Sequence, residues 1–250
     1  MMTAREIIAH MEAMRNDEQR QGLMRFFKTG PGEYGEGDEF LGLKVPQTRL
    51  IVKTMTRDLP IAEVPKLLLS QWHEVRLCGL LVLVERFGKA ATKRLENDDQ
   101  AIARRDDIMR MYLQHAERAN NWDLVDLSAP KILGNWLLLP TRLGDKRAVM
   151  DSLADSTCLW RQRMSIVSTW RTTQAGDLSW CLHYAEVHLH HPHDLMHKAV
   201  GWMLREVGKH GGMPQLRAFL EAHAHEMPRT ALRYAIEKMS VEERHHWMSH

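Results

Sequence analysis

Apolar side chains recur every three or four residues along most of the chain. VRLCGLLVLVERFG (75–88), WRQRMSIVSTWRT (160–172), LMHKAVGWMLREVGK (195–209) and RTALRYAIEKM (229–239) each carry such a stripe, which predicts amphipathic helices. No run shows the alternation of a half-buried strand. Short breakers separate the stripes at Asp58–Pro60, Leu139–Pro140, Gly176–Asp177, His191–His193 and Gly211–Gly212. Connections this short suit stacked helix pairs.

The helices resemble one another. VRLCGLL, WDLVDLSA, QRMSIVS, HKAVGWM and PRTALRY each place a polar or charged residue just before an apolar stripe. The equivalent residues are Arg76, Asp123, Arg163, Lys198 and Arg229, spaced 47, 40, 35 and 31 residues apart. That is loose self-similarity at the length of a HEAT-type helix pair. The expected fold is all-α, a curved α-solenoid of about six HEAT-like pairs forming a single domain over residues 1–250. Arg76, Arg163, Lys198 and Arg229 then form a basic stripe along a groove, or are each a solvated residue at a helix start.

TGPGEYGEGDEF (29–40) breaks the pattern with four of the chain's 15 glycines. It reads as an exposed structural or gating loop. Its glycine spacing does not make it a phosphate loop, because Glu33, Glu36, Asp38 and Glu39 repel phosphate and no strand precedes it. Pro46, just beyond, suits the first turn of a helix.

Composition narrows the class. The chain has 250 residues, 44% hydrophobic and 26% charged, with a formal net charge of +2. That is an ordinary globular balance and does not by itself call for a polyanion partner. Cys78, Cys158 and Cys181 show no metal or disulfide spacing, so a reducing cytoplasm is expected. The charged N-terminal segment lacks the apolar core of a signal peptide, and no stretch is long enough to span a membrane.

Little of the usual chemistry is encoded. There is no GxSxG elbow, Walker loop or dinucleotide fingerprint. His183, His188, His190, His191, His193 and His197 crowd around a proline break without an HExxH pattern or a cysteine partner. They read as a solvated loop rather than a metal site, and neither metal nor cofactor is expected. NNWDLVDLSAP (120–130) remains. Trp122 and Asp126 lie one helical turn apart on one face. Asp123 is placed to cap the helix start. Asp126 is a turn inside, so it either pairs with an arginine or serves a cationic substrate.

WDLVD (122–126), the QR of WRQRMSI (160–166), KAVGWMLRE (198–206) and FLGLKVPQTR (40–49) together resemble the AlkD-type DNA alkylation repair family, over roughly residues 20–240. The resemblance implies an all-helical DNA glycosylase of HEAT-like repeats that excises cationic N-alkylated purines from double-stranded DNA, here expected as a monomer. It implies Asp126 as the catalytic carboxylate, Trp122 and Trp202 as its aromatic companions, and Arg163 as the groove arginine. Phe26 stands where the family's early tyrosine is expected. Arg76, Lys198, Arg229, Phe26 and Asp123 fill out the expected DNA-binding face. The alternative is a non-catalytic repeat module that binds nucleic acid or protein.

Overall fold

The structure is a computed structural model that describes residues 2–249. Among the described residues it is helical throughout, and its only β feature is an isolated bridge between Glu39 and Trp72. No helix is long and apolar enough to cross a membrane. The helices group into two compact units.

The first unit contains α1 (Ala4–Ala13), α2 (Asp17–Phe26), α3 (Val45–Met55), α4 (Val64–Leu68), α5 (His73–Ala90), α6 (Asp99–Gln114) and α7 (Trp122–Ser128). Their starts follow the local chemistry. Thr3 and Glu6 form a capping box on α1, Asn16 and Asp98 cap α2 and α6, and Pro46 occupies the first turn of α3 as expected. The α5 helix is the centre, with α3, α4, α6 and α7 packed on it. Its middle, residues 77–84, is apolar all round, and such a stretch belongs inside. Every residue from His73 to Leu83 is buried.

Burial of the first turn of α5 sets a condition, because His73, Glu74 and Arg76 go in with it. Glu74 meets the condition through the backbone of the segment leading into α3. Its Oε2 accepts from the Leu41 N–H at 2.9 Å, and its Oε1 accepts from Gly42 and Leu43 at 2.8 and 3.0 Å. Gly42 has φ +88°, and a Cβ there would stand 2.1 Å from the Asn16 carbonyl oxygen. Only glycine allows this wrap.

The second unit comprises α8 (Asn135–Leu138), α9 (Lys146–Ala154), α10 (Leu159–Val167), α11 (Thr169–Gln174), α12 (Ser179–Val187), α13 (Asp194–Lys209), α14 (Met213–His223), α15 (Arg229–Ala235) and α16 (Val241–Met248). A π-helical turn over Pro130–Gly134 precedes α8. The strongly amphipathic α13 packs against α10, α12, α14 and α15. The helix expected over 160–172 is divided at Ser168. There the hydroxyls of Ser165, Ser168 and Thr169 each bond back to a carbonyl three residues earlier, competing with the helix ladder.

Glu74→Gln keeps the shape of the side chain but turns an NH2 group towards a backbone N–H. It is expected to cost about 1–3 kcal/mol, the scale for an unsatisfied buried donor. A urea midpoint equal to that of the wild type would show that the wrap of 41–43 does not hold this part of the fold.

Candidate active site

The segment SQWHEVR places His73 at the first position of α5, and its N–H donates to the Glu39 carbonyl at 2.7 Å. The ring then stands between two carboxylates. Its Nδ1 lies 2.8 Å from Asp38 Oδ2, and its Nε2 lies 2.9 Å from Asp123 Oδ2. Arg76, one turn along α5, binds the other oxygen of Asp38 and donates through Nη1 to the carbonyls of Ser70 and Gln71. Two carboxylates and two cations thus form a compact buried cluster.

The charge of each group follows from its neighbours. Burial opposes a charge on His73, but Asp123 and Asp38 outweigh it and raise the imidazole to about 9. Both ring nitrogens then donate. Burial likewise pushes Asp38 up. The hydrogen bond from His73 and the charge of Arg76 push it down further, and its carboxyl ends below the ordinary range.

A file of rings lies against this cluster. Phe40 stacks on His73 with centroids 4.4 Å apart, Phe27 stacks on Phe40 at 5.2 Å, and Trp122 leans on Phe27 at 5.4 Å. Phe26 meets Trp122 edge-on at 5.9 Å and is 62% exposed. These rings wall a cavity of about 500 Å³ in the first unit. Leu23, Leu43 and Pro46 add to its apolar wall, and Asp126, Lys44, Glu74 and the His73–Asp123 pair bring charge to it. A mainly apolar pocket with a few convergent charged groups is the usual form of a small-ligand site.

Trp122 and Asp126 therefore share one cavity wall, as their spacing predicted. Asp123 departs from expectation. It is buried at the edge of the same cavity and accepts from His73 instead of standing on an open surface. Arg76 also departs, being buried and committed to Asp38 and two carbonyls, so it contributes nothing to a surface stripe. Asp38 and Phe40 correct the picture of an exposed acidic loop, since both are buried. His73 was not among the residues expected at the site. A histidine just before the uninterrupted apolar run 77–84 was the available signal.

The remaining expected residues belong to the second unit. Arg163 on α10 is buried, and its Nη1 donates to the Leu195 carbonyl at 2.6 Å. Trp202 is partly exposed on α13, Lys198 pairs with Asp194 at 2.7 Å, and Arg229 donates to the Met248 carbonyl at 2.6 Å. The histidine stretch is not uniformly solvated. His188 is buried against the Ser165 hydroxyl at 2.8 Å, and burial pushes it down to about 4. His191 bonds Gln162, and His193 caps α13. Among the described residues, no group of three or more His, Cys, Asp or Glu is placed to hold a metal ion.

Residues 7–239 match the family model of the DNA alkylation repair enzymes. A solved structure described as a predicted DNA alkylation repair enzyme from Enterococcus faecalis superposes with a TM-score of 0.67 at 13% identity, covering 91% of this chain and 97% of that one. At that identity the likeness speaks for the fold alone. No curated protein matches the sequence.

The His73 charge ties stability to pH. In the folded chain the imidazole stays charged up to about 9. In the unfolded chain a histidine loses its proton near about 6.5. The folded value is raised, so this stabilisation is complete below about pH 6.5 and is lost as the pH climbs through about 9. Thermal melts across that window should show the wild type losing stability, and His73→Gln, less stable throughout, losing less. Parallel slopes for the two would mean that another group titrates.

Proposed function

The chain belongs to the family of DNA alkylation repair enzymes, and we propose that it is a DNA glycosylase that hydrolyses the N-glycosidic bond of cationic N-alkylated purines in double-stranded DNA. The observation that carries this reading is the shared wall of the first unit's cavity, where Trp122 and Asp126 stand beside Phe26 and Phe27. An aromatic wall bearing a carboxylate suits a planar cation.

The chemistry asks little of the protein. A 3-alkyladenine or 7-alkylguanine carries a positive charge in DNA. When the C1′–N bond breaks, its electron pair goes to the base, which leaves neutral without needing a general acid. The sugar develops oxocarbenium character. The Asp126 carboxylate stabilises that charge, and a water directed to C1′ closes the reaction with loss of its proton, leaving an abasic site. Trp122 offers a ring face to the cationic lesion, worth about 0.5–2 kcal/mol. Phe26 can stack but cannot make the hydroxyl contact of a tyrosine. For the second unit, the family resemblance assigns Arg163 and Trp202 to the same reaction, and the repeated basic position before the apolar stripes puts Lys198 and Arg229 forward for backbone phosphates. Arg76 and Asp123 leave the DNA-binding set because they are buried. The protein is proposed to act on duplex DNA as a monomer.

Release of free 7-methylguanine and 3-methyladenine from methylated duplex DNA tests the activity. Asp126→Asn keeps the shape and removes the charge. It should lower single-turnover release by about 10²-fold or more, the scale for deleting one preorganised charge-stabilising group. DNA affinity should hold or rise, and the melting temperature should change little. A variant that melts early yet excises normally would make Asp126 structural. DNA binding by the wild type without base release would favour the non-catalytic module.

At position 26, stacking is the only contribution the side chain can make. Phe26→Ala should therefore lose more activity than Phe26→Tyr. Equal, wild-type rates for both would remove Phe26 from the site.

A further inference from the structure

We propose that His73 is a positioning residue for this reaction: it holds the first turn of α7 and thereby sets where Trp122 and Asp126 stand at the cavity. The inference rests on the glycosylase reading for its activity arm and on geometry alone for the rest.

The α7 helix, Trp122–Ser128, runs on through Ala129 into the π-helical turn, whereas its first turn, whose N–H groups have no partner in the helix ladder, depends on contacts from outside the helix. Two separate lines run from His73 to its first turn. One is polar: the ring N–H at Nε2 reaches Asp123, the residue between Trp122 and the rest of the helix. The other is aromatic: His73 stacks on Phe40, Phe40 on Phe27, and Phe27 meets Trp122. Asp126 lies three residues beyond Asp123, so a rotation of that turn carries Trp122 and Asp126 with it. On the other side, the Nδ1 N–H holds Asp38, which Arg76 grips in turn. His73 therefore locks the 29–40 loop and the head of α7 to the same buried helix.

The arrangement needs a charged imidazole. A neutral ring has one donor and one lone pair, and one of the two carboxylates would then face the lone pair. The groups around the ring are Asp38 from the loop, Asp123 from α7, and Arg76 and Glu74 from α5 itself. Arg118 is near enough to Arg76 and Asp38 to feel both charges. Glu74 is occupied by backbone N–H groups. Two anions thus face His73 directly, and the sum of the surroundings keeps its proton in place at neutral pH. None of these groups has to touch DNA. A misplacement of about 1 Å at a reacting group is enough to cost about 10²-fold in rate.

The experiment uses full-length His73→Gln, well below its melting temperature, with the folded fraction measured. Three readouts are taken: single-turnover release of 7-methylguanine at saturating protein, affinity for the same duplex, and the indole N–H resonance of Trp122, assigned with Trp122→Phe. The expected result is release slowed by about tenfold or more, affinity within about threefold, and a displaced Trp122 resonance in the free protein. If His73→Gln does not fold, Asp123→Asn breaks the same tie with a smaller change and should give the same pattern: slower release and a displaced Trp122 resonance at near-constant affinity. A wild-type rate per folded molecule, or a Trp122 resonance that stays in place, would overturn the proposal. If the wild type releases no base, the glycosylase reading fails, and the Trp122 resonance alone decides whether His73 positions this wall.

Discussion

Everything near the cavity depends on a proton held between two buried carboxylates. Asp38 comes from an irregular loop, Asp123 from a short helix, and His73 from the helix buried at the centre of its unit. Remove the proton and one carboxylate loses its donor in a place where water cannot replace it. Arg76 balances the second negative charge. The cluster is a pair of ion pairs, and breaking one member of such a set is far more costly than the set as a whole is stabilising. It therefore acts chiefly to fix geometry. It says which way the loop must lie and where α7 must begin.

The helices were legible because their signal is local. Periods of three and four residues gave 75–88 and 195–209 almost to the ends of α5 and α13, and Pro46 marked the start of α3. The division at Ser168 was harder to read, since it comes from hydroxyls turning back on the ladder rather than from a breaker residue. The wall of the candidate site was legible for the same local reason: Trp122 and Asp126 sit a turn apart in one heptapeptide. What supports that wall was not. Asp38, His73 and Asp123 are separated by 35 and 50 residues, and no spacing rule joins them. Arg76 was misread as part of a basic groove stripe because it precedes an apolar stripe as Arg163, Lys198 and Arg229 do. The helix is instead buried from His73 to Leu83, and the guanidinium satisfies carbonyls and Asp38 from within.

The acidic loop shows the same limit from the other direction. Counted as composition, Glu33, Glu36, Asp38 and Glu39 are four like charges on a glycine-rich segment. In the fold they have different tasks. Glu33 and Glu36 accept from the loop's own N–H groups at Gly30 and Gly32, Glu39 pairs with Arg20, and Asp38 turns inward. A loop that satisfies its own backbone and sends one carboxylate into the core is built structure. Its glycines at 32 and 37 take positive φ, which lets the chain turn tightly enough to bring Asp38 back under α5.

This division of labour bears on the chemistry. A cationic leaving base needs no proton from the enzyme, so the site needs no group tuned to donate one. What it needs is a carboxylate held at a fixed place beside an apolar, aromatic wall, where its field is little weakened by water. If the titrating histidine were in the cavity's reaction path, its charge would oppose a cationic substrate. Here His73 lines the cavity but is only 2% exposed, spends both N–H groups on buried carboxylates and is flanked by Phe40 and Phe27. Its positive charge is neutralised within the cluster. The surface offered to a cation is then the rings of Trp122 and Phe26 with Asp126 beside them. The fold pairs off within the cluster the charge that holds the site in place, and the proposed reaction uses the Asp126 carboxylate of the same cavity wall.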